Sequence, residues 1–320
     1  MKIRTSAVLF VFGYALQLCA VEPQILMNWA FNDDGSKPWT QHANHCKNVR
    51  LEKGVLKGVT SGADPFLVSP AFSITAGAGQ VVEFRAKNPV GGHGELFWIP
   101  VGAKGPQQKW SASFDWIGDG EWHDYRVRPF WQGEKRIGTL RIDFVNGRSD
   151  VAFEVASVRI VDESSAAHAG EPVWSGTALA AWSAVEGSHA RIEKGGIAYR
   201  SPEKGEGVLE SPALSFDSDA AFVLSVEMAV ESGAAGTVAW ACSGVSGLHK
   251  KAFRVKADGR FHTYNVDLGS EKSWTGKIVL LRLSPVSEKG GRALIRSIRV
   301  GDDLQGPADE ARAGAGQGDR

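Results

Sequence analysis

The sequence predicts an all-β protein: two tandem jelly-roll β-sandwich domains behind a signal peptide. Three observations carry this. The 320 residues include 38 glycines and 11 tryptophans, a composition rich in turn formers and strand-forming aromatics. Apolar residues alternate with polar ones in short runs, the period of half-buried antiparallel strands. The chain also repeats itself once, about 140 residues apart.

At the N-terminus, Lys2 and Arg4 precede an apolar run from Ala7 to Leu18, followed by Cys19-Ala20 and a polar break at Glu22-Pro23. This is the pattern of a secretory signal peptide over 1–20, cut after Ala20. The run is too short to span a bilayer, and no other segment is a transmembrane candidate. A lipidated Cys19 is the alternative processing, but Leu18 fits that signal poorly. The expected address is secreted, periplasmic or cell-surface. Basic and acidic residues balance at 36 each, which argues against nucleic acid as the partner. Removing the signal leaves a net charge of −2 and two cysteines, Cys46 and Cys242, in different repeats. Two such cysteines make no disulfide framework and are expected to be separate, largely buried thiols.

The repeat is read in seven blocks that keep their order. Val49-Arg-Leu-Glu-Lys-Gly54 answers Ala190-Arg-Ile-Glu-Lys-Gly195, and Leu67-Val-Ser-Pro-Ala-Phe-Ser73 answers Leu209-Glu-Ser-Pro-Ala-Leu-Ser215. Gly94-Glu-Leu-Phe-Trp98 answers Gly236-Thr-Val-Ala-Trp240. Asp119-Gly-Glu-Trp-His-Asp-Tyr-Arg-Val127 answers Asp258-Gly-Arg-Phe-His-Thr-Tyr-Asn-Val266. Trp131-Gln-Gly133, Leu140-Arg-Ile142 and Ser157-Val-Arg-Ile160 answer Trp274-Thr-Gly276, Leu281-Arg-Leu283 and Ser297-Ile-Arg-Val300. So long a period describes whole domains, expected over 21–163 and 164–303. The stretch from Asp162 to Pro172 is small and polar and reads as the linker. A disordered tail is expected over 304–320, which holds no large apolar residue beyond Leu304.

Within each repeat, eight to ten short strands are expected. Tyr125 and Val127, Leu140, Ile142 and Phe144, and Tyr264, Val266 and Leu268 alternate with polar neighbours and should face inward. In the last strand the inward parity slips by one residue, at Ala156-Ser157 and again at Arg296-Ser297. A β-bulge is predicted at both places.

These blocks carry a family resemblance. Leu96-Phe-Trp98, Asp119 to Val127, Trp131-Gln-Gly133, Leu140-Arg-Ile-Asp143 and Phe153-Glu-Val-Ala-Ser-Val-Arg-Ile160 resemble bacterial jelly-roll modules of the galactose-binding-like, carbohydrate-binding-module-like kind. Such modules are often attached to secreted glycan-processing enzymes. The resemblance covers most of the first repeat and, more weakly, most of the second. It implies a poly- or oligosaccharide ligand, with an enzyme or a cell-envelope component as a further partner. The family's Leu-Arg-x-Asp-Pro reads Leu-Arg-Ile-Asp143-Phe144 in the first repeat and Leu-Arg-Leu-Ser284-Pro285 in the second; Leu294 stands where the first has Glu154. A polar site shared by Asp143 and Glu154 is therefore expected in the first repeat alone.

Aromatics shared by both repeats, such as Trp98 with Trp240 and Trp131 with Trp274, read as scaffold. Trp39, Trp110 and Trp116 lack a counterpart, so they are the candidate platforms for stacking a sugar ring. Against this, Trp110, Ala112, Phe114 and Trp116 share one parity, which points the pair toward the core if Phe114 faces inward. The proposed ligand set is thus Trp39, Trp110, Trp116, Asp143 and Glu154. His123 and His262 read as hydrogen-bonded structural histidines. His42, His45 and Cys46 lie close together but lack the rest of a zinc site, and no metal ligand is assigned. Beyond the sugar no cofactor is expected, except that Asn32, Asp33 and Asp34 leave a structural calcium open.

No Gly-x-Ser-x-Gly, His-Glu-x-x-His, Walker or Cys-x-x-Cys motif occurs. The sequence is therefore read as a non-catalytic glycan-binding or glycan-associated protein. A structural or adhesive envelope protein that binds another protein is the first alternative. A sandwich-fold polysaccharide-active enzyme, with Asp143 and Glu154 as its carboxylates, is the second.

Overall fold

The computed structural model describes residues 22–32, 34–145, 147–164, 171–185, 188–203, 207–243 and 245–307. The expected signal peptide and residues 308–320 of the expected tail lie outside them.

The first module begins with β1 (Gln24–Trp29) and a single turn, α1 (Pro38–Gln41). It continues through β2 (Ala43–Asn44), β3 (Cys46–Glu52), β4 (Val55–Thr60), β5 (Phe66–Val68) and β6 (Ile74–Thr75). The longer strands follow: β7 (Gln80–Lys87), β8 (Gly92–Pro100), β9 (Ser111–Trp116), β10 (Trp122–Val127), β11 (Arg136–Asp143) and β12 (Ala152–Asp162). One sheet runs β10-β7-β12-β4-β3, with β1 beside the second half of β12. The other runs β2-β5-β11-β8-β9, with β6 beside the start of β11. Every pairing is antiparallel, and the steps β7 to β8, β9 to β10, β10 to β11 and β11 to β12 each cross between sheets, giving a jelly-roll path.

The second module repeats this strand for strand. Its elements are β13 (Val173–Ser175), β14 (Ser183–Val185), β15 (His189–Glu193), β16 (Gly196–Arg200), β17 (Val208–Glu210) and β18 (Phe216–Asp217). Then come β19 (Val223–Val230), β20 (Ala235–Cys242), β21 (His249–Arg254), β22 (Phe261–Asp267), β23 (Lys277–Ser284) and β24 (Arg292–Gly301). Its sheets run β15-β16-β24-β19-β22 with β13, and β14-β17-β23-β20-β21 with β18. Each module thus has twelve strands among the described residues, more than periodicity suggests. The surplus consists of two- and three-residue strands such as β2, β6 and β18, too short to display a period.

Shared sequence blocks do shared structural work. At Lys53-Gly54 both turn residues have positive φ, +52° and +76°; at Lys194-Gly195 the values are +50° and +75°. This is the geometry of a two-residue hairpin turn, and glycine is the residue that tolerates its second position. The Ser-Pro block buries a hydroxyl: Ser69 Oγ accepts from Leu140 N at 2.9 Å, and Ser211 Oγ accepts from Leu281 N at 3.0 Å. Both predicted bulges are present. Ala156 is the extra residue between Val155 and Ser157 opposite β7, and Arg296 is the extra residue between Ile295 and Ser297 opposite β19.

The two cores are separate aromatic-rich clusters. Trp98 meets Trp131 edge-to-face at 6.0 Å between centroids, and Trp240 meets Trp274 the same way at 5.6 Å. These shared tryptophans are scaffold, as their retention in both repeats suggests. Cys242 is buried and Cys46 half-buried, and both thiols are free. At the far end, Asn265 exchanges hydrogen bonds with the backbone N and O of Gln305. The chain is therefore still anchored inside the stretch where the sequence predicts a loose tail. Asn265 is buried by this contact despite its outward-facing parity.

Candidate functional site

The three tryptophans expected to stack a sugar are packed into the first module's core. Trp39 is fully buried and stands edge-on to Trp29 and Phe31, at 5.6 and 6.0 Å. Trp116 lies flat on Phe144 at 5.2 Å and donates its indole N–H to the carbonyl of Asp143. Trp110 is 9% exposed, donates to Glu134 Oε1, and is covered by Lys109 Nζ 4.7 Å from the ring centroid. β9 turns Phe114 and Trp116 toward the other sheet, and Trp110 ends the 3-10 turn just before that strand. None of the three presents a free face to solvent.

Asp143 and Glu154 also part company. Asp143 ends β11 and points away from the core on one sheet. Glu154 lies on β12 of the opposite sheet, outward-facing, half-buried, with Lys57 and Lys87 as its cross-strand neighbours. Two carboxylates directed away from a shared core cannot flank one glycosidic bond.

Asp143 instead belongs to a polar face on the outside of the sheet β2-β5-β11-β8-β9. Cross-strand register sets two rows there. Phe66, Asp143, Glu95 and Ser113 form one; Val68, Arg141, Phe97 and Ser111 form the other. Arg141 is the centre. Its guanidinium carbon sits 3.6 Å from the Phe66 ring centroid and 5.0 Å from that of Phe97. Nε and Nη2 reach the two Asp143 oxygens at 2.6 Å each, and Nη2 also reaches Asp64 Oδ1 at 2.8 Å. Nη1 has no protein acceptor among the described residues. Planar stacking with a two-pronged carboxylate contact is what guanidinium geometry favours.

Asp143 is almost fully buried, although it faces outward. Burial raises its pKa above the ordinary carboxylate range, an effect Arg141 offsets only in part. Beside it, Gln108 donates to Glu95 Oε1 at 2.7 Å and to Ser111 Oγ at 3.0 Å, which ties the loop before β9 to the sheet. The face therefore combines a guanidinium that covers the buried Phe97 ring, the half-buried Phe66 ring, and a fan of carboxylate, amide and hydroxyl groups. Sugar rings take that mixture: apolar contact for C–H faces and paired hydrogen bonds for hydroxyls.

Arg141, Phe66, Phe97, Glu95, Asp64 and Gln108 were not singled out from sequence. A signal was there. Phe97 has the opposite parity to Leu96 and Trp98, so it is an aromatic on the outer face, and Arg141 shares the parity of Asp143.

The two histidines retained in both repeats are scaffold. His123 and His262 pair with Asp119 and Asp258 of the preceding Asp-Gly turns, at 2.9 and 3.1 Å. His45 Nδ1 accepts from Asp64 N, and burial pushes the Cys46 thiol up to about 12. Of the calcium candidates, Asn32 is exposed, and Asp33 lies outside the described residues.

No known family model matches the chain, and no curated protein matches it in sequence. Similar solved structures exist. The N-terminal CBM22-1-CBM22-2 tandem domain of Xyn10C from Paenibacillus barcinonensis is 10% identical, at a TM-score of 0.33. That match covers 88% of this chain and 99% of the other. A CBM4 structure is 11% identical over 42% of this chain and 84% of its own, at a TM-score of 0.29. The glycoside hydrolase domain of Endo-D from Streptococcus pneumoniae is 12% identical, covering 71% of this chain but 36% of that one, at a TM-score of 0.28. Likeness at this level concerns backbone layout; the chemistry of the face is that of this chain's own side chains.

Proposed function

We propose that the chain is an exported, non-catalytic carbohydrate-binding protein whose working surface is the outer face of the first module around Arg141. The observation that carries this is the Arg141 guanidinium held between Phe66 and Phe97 by Asp143 and Asp64. A stacked, fixed guanidinium gives a flat platform, and its Nη1 donors and the neighbouring carboxylates can share one pair of sugar hydroxyls. Asp64, Asp143 and Glu95 outnumber Arg141, so neutral glycans are favoured over uronic-acid or sulfated ones, which the carboxylates repel. The basic, apolar N-terminal segment supports export.

Affinity electrophoresis in gels containing soluble xylan, mixed-linkage β-glucan, galactomannan or polygalacturonate tests the reading. A neutral polysaccharide should retard the protein, and Arg141→Ala should restore free migration without lowering the melting temperature of the second module. Equal retardation of the wild type and the variant would remove this face from the proposal.

A further inference from the structure

The second module carries the same face in altered form, and something covers it. Arg282 is the counterpart of Arg141, with Ala239 across from it where the first module has Phe97. Val208, Thr237 and Ser284 stand at the positions of Phe66, Glu95 and Asp143, and Leu280 at that of Thr139. The rings and acids of the first face are thus trimmed or lost. One acid is gained: Glu210, at the position of Val68, binds Arg282 Nε at 2.9 Å. Leu280, Ala239 and Ala241 point outward here, yet they are 1%, 8% and 0% exposed, and none belongs to the module's own core.

The occupant is the first module's segment from Arg126 to Gly133, which leaves β10. Arg128 is 8% exposed and donates from Nε to Glu210 Oε1 at 2.8 Å. Its Nη2 reaches Glu163 Oε2 at 2.8 Å, and Arg126 also pairs with Glu163. Phe130 lies 5.4 Å from the Arg282 guanidinium, and its carbonyl accepts from Gly247 N at 3.0 Å. Gln132 Nε2 donates to Gly247 O at 3.2 Å. Phe130 has φ +51°, a conformation that costs a bulky residue energy unless its surroundings hold it.

We infer that the second module's outer face is a docking socket for this loop rather than a second ligand site. Removal of the rings left space, Leu280 and the alanines line it, and Glu210 selects the arginine that enters. The second face is then occupied within the chain, and a ligand on it would have to displace the first module. This inference does not depend on the open face binding a glycan.

Small-angle scattering of the full chain tests it without any ligand. The wild type should scatter as one compact particle. Arg128→Ala/Phe130→Asp should lengthen the maximum dimension by roughly 10 Å, the thickness of one layer of packed sheet. Near-UV circular dichroism should show both cores intact, and the milder Phe130→Ala should move the profile in the same direction. Wild-type scattering already typical of two independently tumbling modules would overturn the inference. So would a double variant that keeps both cores and scatters like the wild type.

Discussion

The two modules share twelve strands, a bulge in the last strand and a buried Ser-Pro hydroxyl, and they differ on one face. In the first module Arg141 is stacked between two phenylalanines and paired within its own sheet to Asp143. In the second, Arg282 looks across to Glu210 and shares it with Arg128 of the other module. Both modules place an arginine at the same point of the same sheet, and the carboxylate that pairs with it differs. An acid two residues along the same strand closes the arginine locally and leaves the surrounding face open. An acid on the neighbouring strand leaves one oxygen for a partner from outside. The surface that carries chemistry diverges while the scaffold beneath it does not, because scaffold positions are fixed by volume and hydrogen bonding.

The largest effects should fall on what is common to both. Trp131→Ala and Trp274→Ala should each cost about 3–5 kcal/mol, because each opens a cavity in a packed core. Calorimetry should show each variant lowering the transition of its own module, and an unchanged melting curve for either would contradict the shared-scaffold account. Next comes the pairing that separates the modules. Glu210→Ala leaves Arg128 and Arg282 buried around a missing acid and should cost about 3 kcal/mol, whereas Glu95→Ala should stay within about 0.5 kcal/mol. Chemical denaturation of the two variants side by side checks the contrast. Ser69→Ala and Ser211→Ala each strand a buried backbone N–H and should cost a similar amount in both modules, about 1–3 kcal/mol. Arg141→Ala should weaken retardation by a neutral polysaccharide at least about tenfold, close to 1.4 kcal/mol, while Arg282→Ala should leave it unchanged.

Acid should separate the faces by the smallest margin. Burial raises the Asp143 pKa despite Arg141. Burial acts in the same direction on Glu210, but Arg128 and Arg282 together outweigh it and hold that pKa below the ordinary value. Arg126 also faces Glu210, at 3.6 Å. For Glu210 the stabilisation is present above its unfolded pKa and is lost as pH falls through the depressed folded value. For Asp143 the sign is opposite: protonation begins above its unfolded pKa and favours the folded state, while it removes the charge that fixes Arg141. Carbohydrate binding should therefore fade at a higher pH than the one at which scattering reports undocking. Coincident midpoints would mean that the two carboxylates do not titrate as their surroundings dictate.

Much of the fold is legible in the sequence because it depends on local rules. Parity gives the strand faces and both bulges, and repetition marks Trp131, Trp274 and the Ser-Pro blocks as scaffold. The binding face is only partly legible. Asp143 lies on it, but Trp39, Trp110 and Trp116 are core, because a tryptophan is as useful for filling a sandwich as for stacking on a sugar; Trp39 on Trp29 even has its counterpart in Trp182 on Trp174. Phe97 and Arg141 could have been found by asking which side chains break or share parity with known inward neighbours. The anchoring of Gln305 on Asn265 and the docking of Arg128 on Glu210 have no sequence period at all. They join segments 40 and 82 residues apart, and they appear only once the strands are placed.

A contact that joins one face of a unit to a different face of its copy is head-to-tail, and among identical units such contacts run on into filaments. Here the series stops at two. The loop after β22 reads Leu268-Gly-Ser-Glu-Lys-Ser-Trp274, with no arginine and no phenylalanine to enter a further copy. The first module, in turn, keeps Phe97 and Val68 where a recipient would need Ala239 and Glu210. The asymmetry between the copies thus removes from each end of the pair the half of the contact that a further copy would need.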